Sequence, residues 1–230
     1  MLGNSQIAIG EKLRAARLQN KTSLRELASK AEMSASMLSQ IENGKAFPSV
    51  RSIYNIAAAL GLQVDYFFPN DNELSAPVAA TEQAAAQMTA QMTASDLLEA
   101  HLSGETGSSA PAFDDTLHPP ETPVVHAISR PTIQLTGGVT WSRLTAQAER
   151  SAEFLEIHYA PGASSGASMS HHVGREFGLI LEGELTLELG FERHSLRQGD
   201  SIIFDSTTPH RLTNGCSSPT RALWVVLNPD

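Results

Sequence analysis

The stretch Gly166–Asn214 constrains the fold more than any other part of the chain. At its centre, Glu184–Leu189 alternates polar and apolar residues with a period of two, which is the pattern of a half-buried β-strand. Glycines follow the successive runs at positions 183, 190 and 199, where tight turns between antiparallel strands need residues that tolerate a positive φ. The stretch therefore predicts a series of antiparallel strands joined by short turns.

Three side chains in this stretch form a candidate metal or effector site. His172 and Glu176 are four residues apart, and on a strand such residues point to one face, whereas His171 points to the other. A sheet that curls into a small barrel can bring His210 beside them from a later strand. Two imidazoles and one carboxylate with open positions are the ligand set that suits non-haem Fe(II), and Mn, Ni or Zn less selectively.

The same stretch resembles the cupin superfamily, whose fold is a small double-sheet β-barrel. The resemblance rests on Gly166, His172, Glu176, Gly183, Gly199, His210 and Asn214. The first histidine of the family's His-x-His pair would stand at position 170, where this chain has Ser170. The resemblance therefore implies an incomplete form of the usual four-ligand site, and both a three-ligand metal site and a metal-free pocket stay open.

The strand pattern continues on both sides and predicts a cupin domain over residues 124–230. Short β-type runs follow Val124, Phe154–Tyr159 alternates, and Ala222–Leu227 is apolar enough to be buried on both faces. Seven or more strands at this spacing predict a jelly-roll barrel. Its interior then holds a small ligand, a metal or side chains alone.

The composition points to a cytoplasmic protein. The single cysteine, Cys216, excludes a disulfide within one chain and suits a reducing compartment. No apolar run approaches the roughly 20 residues of a membrane span. The first residues lack the basic start and apolar core of a signal peptide.

Charge is distributed unevenly along the chain. Residues 1–68 carry eight lysines and arginines against five acidic residues, whereas the remainder carries eight against twenty and contains no lysine. A basic head on an acidic body indicates that only the head can approach a polyanion such as DNA.

Residues 1–68 predict a bundle of five short helices. Ser23 and Ser34 are predicted N-caps, and Glu26 completes a capping box with Ser23. Gly61 is predicted to end the fourth helix. The predicted helices are Ile7–Asn20, Leu24–Lys30, Ala35–Glu42, Val50–Leu60 and a last short turn at Val64–Phe68.

Residues 7–68 resemble the repressor-like helix-turn-helix domains of lambda and 434 type, the Xre family, most closely over Ser23–Lys45. The resemblance implies that Ala35–Glu42 enters the major groove of DNA. The implied base readers are Ala35, Ser36 and Gln40, and the implied phosphate contacts are Ser34, Asn43 and Lys45. Leu24 stands where the family often has a phosphate-gripping glutamine, so Arg25 is expected to take over that contact.

The three implied base readers, Ala35, Ser36 and Gln40, form a small DNA-reading surface, and its size predicts how the protein assembles. Gln40 can pair with adenine through two hydrogen bonds, Ser36 can donate or accept, and Ala35 can only pack on a thymine methyl group. Such a surface is too weak alone, so a homodimer on a palindromic operator is expected.

Residues 69–123 are predicted to be a linker, partly helical or disordered. Thr81–Leu102 contains no glycine or proline and is rich in alanine, which favours a helix. Ser103–Pro123 is rich in serine, glycine, proline and aspartate and is predicted to be flexible. The whole chain is thus predicted to be a multidomain α + β protein: an N-terminal five-helix domain, a linker and a C-terminal barrel.

An Xre-type head joined to a cupin body resembles a family of bacterial transcription regulators whose barrel senses a small molecule. The resemblance implies a sequence-specific DNA-binding regulator, acting as a repressor, that binds double-stranded DNA, a small-molecule effector and a second copy of itself, and has no catalytic residues.

Two alternatives stay open. The first is a mononuclear non-haem iron enzyme resembling hydroxypropylphosphonate epoxidase, whose ligand pattern matches His172, Glu176 and His210 and whose head lysine matches Lys21. The tyrosines expected around Val139–Leu144 for that enzyme are absent. The second is a metal-free barrel that serves only to dimerise the head.

Overall fold

The computed structural model describes residues 3–69 and 124–228. The predictions for the linker, including the helix at Thr81–Leu102, lie outside the described residues apart from Pro69. No helix in the described part of the chain is long and apolar enough to cross a membrane.

The head contains four α-helices, and the fifth predicted element, a last short turn of helix, is a 3₁₀ turn, so the count of five helices is not confirmed. The last element is only four residues long, and its closing hydrogen bond joins Phe68 N to Asp65 O over three residues. The first helix begins before the predicted residue, since nothing in the preceding residues breaks it. The helices are α1 Gly3–Gln19, α2 Leu24–Lys30, α3 Ala35–Glu42 and α4 Val50–Leu60, followed by the 3₁₀ turn Val64–Phe67.

The predicted caps define the helix ends. The hydroxyls of Ser23 and Ser34 accept hydrogen bonds from the amides of Glu26 and Met37 at 3.2 and 3.1 Å. Gly61 ends α4 in the left-handed region, with φ of 67°, which favours glycine because a side chain is strained there. These local signals explain why the boundaries of α2, α3 and α4 agree with the prediction.

A buried ion pair joins α1 to the end of α3. Arg17 Nε and Nη2 donate to the two carboxylate oxygens of Glu42 at 2.6 and 3.0 Å. Both side chains are nearly buried, with 11% and 4% of their surfaces exposed. The pair neutralises a carboxylate at the negative end of α3, where its charge would otherwise be unfavourable.

Residues 124–228 form nine strands in two antiparallel sheets, which confirms the predicted double-sheet cupin barrel. One sheet has the order β1-β2-β3-β9-β4-β7 and the other the order β6-β5-β8. The strands are β1 Thr132–Leu135, β2 Val139–Arg143, β3 Ala152–Tyr159, β4 Arg175–Glu182, β5 Glu184–Leu189, β6 Glu192–Arg197, β7 Ser201–Asp205, β8 His210–Thr213 and β9 Thr220–Leu227.

The last strand is not buried on both faces as predicted. Burial along β9 alternates: Ala222, Trp224 and Val226 are at most 3% exposed, whereas Val225 is half-buried and Leu227 is 42% exposed. The strand lies in the middle of the six-stranded sheet, and its inner face fills the barrel. The outer face of β9 carries the apolar side chains of Val225 and Leu227, which this chain covers only in part.

The head packs directly on the barrel. Arg143 on β2 reaches Asp65 in the 3₁₀ turn at 3.3 Å, and the two side chains are 5% and 3% exposed. The Arg143 guanidinium also lies 5.7 Å from the centre of the Phe68 ring, as in cation–π contacts. Burial raises the pKa of Asp65, although the charge of Arg143 opposes the rise. The two domains therefore share a desolvated interface.

We predict that Glu42→Ala destabilises the head by about 3 kcal/mol, because it leaves the buried Arg17 guanidinium without its partner. Urea unfolding followed by the helical circular dichroism signal measures this loss. The matched control is Lys30→Ala, which removes an exposed ion pair with Glu26 and should cost less than about 0.5 kcal/mol. Equal effects of the two substitutions would contradict the prediction.

Candidate ligand site and nucleic-acid interface

The three predicted ligands lie together inside the barrel. Glu176 Oε1 is 3.1 Å from His172 Nε2 and 3.3 Å from His210 Nε2. One potential ligand atom from each residue lies within 4.8 Å of the other two. Glu176 and His210 are 4% and 5% exposed. The site is therefore an enclosed cluster of two imidazoles and one carboxylate.

His172 reaches the cluster by a different path from the one predicted. It does not share a strand with Glu176: β4 begins at Arg175, and His172 lies in the irregular segment before it. The backbone amide of His172 donates to Ser206 O at 3.0 Å, which fixes the segment against the loop before β8. Gly174, with φ of 125°, allows the chain to enter β4 there, since a Cβ would approach Leu227 O to 2.6 Å.

Hydrogen bonds outside the cluster orient both imidazole rings. His172 Nδ1 lies 3.1 Å from Val173 O and His210 Nδ1 lies 2.9 Å from Thr208 O. A carbonyl oxygen only accepts, so each Nδ1 carries a proton and each neutral ring keeps a lone pair on Nε2. In the neutral form of each ring this lone pair lies beside Glu176, the arrangement that second-shell carbonyls impose on metal-binding histidines.

The carboxylate of Glu176 is only half satisfied. Trp224 Nε1 donates to Oε2 at 2.6 Å, whereas the buried Oε1 has no hydrogen-bond partner. The Oε1 atom lies close to both Nε2 atoms, but neither contact has hydrogen-bond geometry. Burial acts to raise the pKa of Glu176 and to lower that of His172. Their mutual attraction outweighs burial, so the pKa of Glu176 is lowered and that of His172 is raised. The cluster thus favours a positive charge at its centre.

The cluster lines a small cavity of about 20 Å³, enough for little more than one water molecule. Ser170, which stands where the family has its first histidine, is buried in the wall. The other lining residues are Val50, Tyr54, Trp141, Leu155, Ile157, Tyr159, Ser165, Leu212 and Trp224.

Two of the lining residues, Val50 and Tyr54, come from α4 of the head. Neither residue was predicted from the sequence to line the site, and the Trp224 contact to Glu176 was not predicted either. The sequence carries no signal for Tyr54, because a tyrosine on a helix surface matches no ligand motif. Its place in the site follows only from how the head packs on the barrel.

Most of the predicted DNA-contacting residues are exposed on the head. Gln40 and Ser36 on α3 are exposed, and Ala35 is half-buried at the start of the helix. The predicted phosphate contacts are all exposed: Arg25, Ser34, Asn43 and Lys45. Asn43 Nδ2 also donates to Ser39 O at 2.7 Å. Docking of the head on the barrel therefore leaves the predicted reading surface accessible.

Not all of the head's positive charge is free for DNA. Arg17 is paired with Glu42 inside the bundle. Arg51 bonds Glu32 at 2.6 Å and Ser168 of the barrel at 2.9 Å. The basic residues of the reading surface are therefore Arg25 on α2 and Lys45 after α3.

Comparison with known proteins identifies both domains. A family model described as helix-turn-helix matches residues 13–67, and a model described as cupin domain matches residues 155–226. The HTH-type transcriptional regulator PuuR of Escherichia coli is 22% identical over 213 residues, which cover 93% of this chain and 91% of that protein.

One solved structure shares this fold over the whole chain. A helix-turn-helix family transcriptional regulator from Vibrio cholerae superposes with a TM-score of 0.57 at 20% identity, over 100% of this chain and 98% of that one. Hydroxypropylphosphonic acid epoxidase from S. wedmorenis gives a TM-score of 0.38 at 16% identity, over 98% and 100% of the two chains, a likeness too weak to carry an argument. The chain thus combines an N-terminal helix-turn-helix domain with a C-terminal cupin domain.

Proposed function

We propose that this protein is a cytoplasmic transcriptional regulator, acting as a repressor, that binds a palindromic operator as a homodimer and a small-molecule effector in its cupin domain. The observation that carries the proposal is the exposed face of α3, which presents Ser36 and Gln40 to solvent while α4 and the 3₁₀ turn contact the barrel. The likeness to PuuR over nearly the whole of both chains supports it.

In this proposal α3 lies in the major groove of the operator. The Gln40 amide donates and accepts at one adenine, Ser36 contacts a neighbouring base edge and Ala35 packs on a thymine methyl group. Arg25, Ser34, Asn43 and Lys45 bind phosphates and set the register of the helix on the duplex. The hydroxyl of Ser34 can do so while capping α3, because a serine that accepts one hydrogen bond can still donate another.

We expect Gln40→Ala to relax base preference at one position of each half-site by about 1–3 kcal/mol, because a bidentate contact is lost. Lys45→Ala should instead weaken binding to all sequences alike and reduce the salt dependence by about one counterion. Selection from random DNA at about 150 mM salt, followed by anisotropy titrations, separates the two effects.

Arg193→Ala is the matched control, because Arg193 is an exposed arginine on the barrel and should leave binding unchanged. If Gln40→Ala and Lys45→Ala both weaken binding uniformly across sequences, the assignment of the reading helix is wrong.

We propose that His172, Glu176 and His210 hold a divalent transition metal, Fe, Mn, Ni or Zn. Ligand atoms bound at about 2.1 Å and at right angles lie about 3 Å apart, close to the separations of 3.1 and 3.3 Å between Glu176 Oε1 and the two Nε2 atoms. The protonated Nδ1 atoms and the unpartnered Oε1 fit the same group. A bound metal would supply a Lewis-acidic site for an anionic or carbonyl-containing effector.

We expect the protein to bind about one Co²⁺ per chain. His172→Ala or His210→Ala should weaken that binding by at least about 100-fold, because the loss of a ligand has a larger effect than the loss of an outer-shell contact. Isothermal titration calorimetry measures both affinities. His158→Ala, which removes an imidazole paired with Glu156, is the control. The same affinity in all four proteins would leave a metal-free pocket as the better account.

We propose that the outer face of the six-stranded sheet is the dimer interface. Four apolar residues pair in register across the adjacent strands β3, β9, β4 and β7: Phe154, Val225, Phe177 and Ile203. Leu223 and Leu179 pair in the next row. Phe154, Leu179 and Ile203 are 36–50% exposed. A contiguous apolar patch of this kind marks an interaction surface. A second copy is its occupant, because a palindromic operator needs two heads related by a two-fold axis.

Phe177→Asp is expected to convert the dimer to a monomer, since it places a charge at the centre of the patch. Light scattering coupled to size-exclusion chromatography gives the mass directly. Phe191→Asp changes a fully exposed phenylalanine in the turn between β5 and β6 and should leave the dimer intact. A monomeric wild type, or a Phe177→Asp dimer, would contradict this interface.

The iron enzyme is the second candidate, because its expected ligand pattern coincides with His172, Glu176 and His210. Lys21 is exposed and does not line the cavity of its own chain. Substrate-dependent turnover of hydroxypropylphosphonate by the iron-loaded protein would favour the enzyme over the regulator.

A further inference from the structure

The cavity of the barrel is closed on one side by the helical head. The Tyr54 ring on α4 stacks on the His172 imidazole, with centroids 4.0 Å apart and planes at 10°. The edge of the Trp141 ring meets Tyr54 at 5.9 Å and 64°. The Tyr54 hydroxyl donates to Glu153 Oε2 on β3 at 3.1 Å. One residue of the head is thus held by three residues of the barrel, one of which is a candidate metal ligand.

These contacts are desolvated and specific. Glu153 is 3% exposed, and burial raises its pKa to about 7, although the hydrogen bond from Tyr54 opposes the rise. The contact therefore satisfies a carboxyl group that would otherwise be buried at high cost. The stack also fixes the plane of the His172 ring, which the Nδ1 contact to Val173 O alone does not.

The helix that carries Tyr54 is also bonded to the turn of the helix-turn-helix motif. Asn55 Nδ2 donates to Ala31 O, at the end of α2, at 3.2 Å. Arg51 bonds Glu32 in the turn between α2 and α3, and with another nitrogen bonds Ser168 of the barrel. A single helix, α4, thus contacts both the ligand cluster and the DNA-binding motif.

We infer that the metal site is shared between the two domains: Tyr54 positions His172, and occupancy of the site holds the head docked on the barrel. This inference rests on the proposed metal site. Coordination would use the Nε2 lone pair of His172, which lies in the plane of the imidazole, and the stack on Tyr54 holds that plane with Nε2 beside Glu176 Oε1. Metal binding and docking therefore stabilise each other, and the coupling is equal in both directions because it is a thermodynamic linkage.

The test combines Co²⁺ titration with hydrogen–deuterium exchange of residues 50–60. Tyr54→Ala should weaken Co²⁺ binding by about tenfold, as loss of an outer-shell contact does. Tyr54→Phe keeps the stack and should stay within about threefold of the wild type. Addition of Co²⁺ to the wild type should slow exchange in α4 by about two- to tenfold, the range that an aromatic stacking contact supplies. Leu18→Ala, an exposed change on α1, should alter neither quantity.

Unchanged Co²⁺ affinity in Tyr54→Ala, or unchanged α4 exchange on metal binding, would overturn the inference while leaving the metal site in place. His172→Ala supplies a readout that does not depend on metal. If the wild type binds no Co²⁺, the metal proposal fails, and faster α4 exchange in His172→Ala than in the wild type would still show that the stack holds the head. Equal exchange in the two proteins would then overturn the docking contact as well.

Discussion

The barrel is arranged around one buried carboxylate, that of Glu176. A carboxylate out of water is costly unless charge and hydrogen bonds compensate it, and here only one of its two oxygens has a hydrogen bond. Trp224 on β9 binds one oxygen, and His172 and His210 approach the other from the segment before β4 and from the start of β8. Gly178 makes the Trp224 contact possible, because a Cβ there would come within 2.2 Å of the indole ring.

Much of the fold could be predicted because its signals are local. Ser23 and Ser34 cap helices with their own hydroxyls, and Gly61 ends a helix because its positive φ favours glycine. The alternation of polar and apolar residues in β5 follows from a sheet with one buried face. The convergence of His172, Glu176 and His210 was predicted from their spacing and from the cupin resemblance. The prediction that His172 and Glu176 share a strand is nevertheless wrong, because β4 begins at Arg175 and Gly174 lets the chain enter it from an irregular segment.

The rest depends on contacts between distant parts of the chain. The Arg143–Asp65 pair, the stack of Tyr54 on His172 and the Tyr54–Glu153 hydrogen bond all join head to barrel across at least 78 residues of sequence. No periodicity or motif encodes such pairs. The outer face of β9 shows the same limit: an apolar strand predicts burial, but the sequence does not say whether this chain or another copy covers it. The charge available for DNA is likewise not readable from the composition, since Arg17 and Arg51 form ion pairs with Glu42 and Glu32 within the molecule.

A head docked through its own α4 against a candidate metal cluster gives the protein a direct physical route from the barrel to the DNA-binding motif. The most direct test is the affinity of the full-length protein for its selected operator, measured by anisotropy with the site loaded with Co²⁺ and again after removal of the metal by a chelator. If metal binding at this cluster controls the head, the wild type has different dissociation constants with and without Co²⁺, and the difference largely disappears in Tyr54→Ala. Equal operator affinities with and without metal in the wild type, for a protein shown to bind Co²⁺, would contradict it.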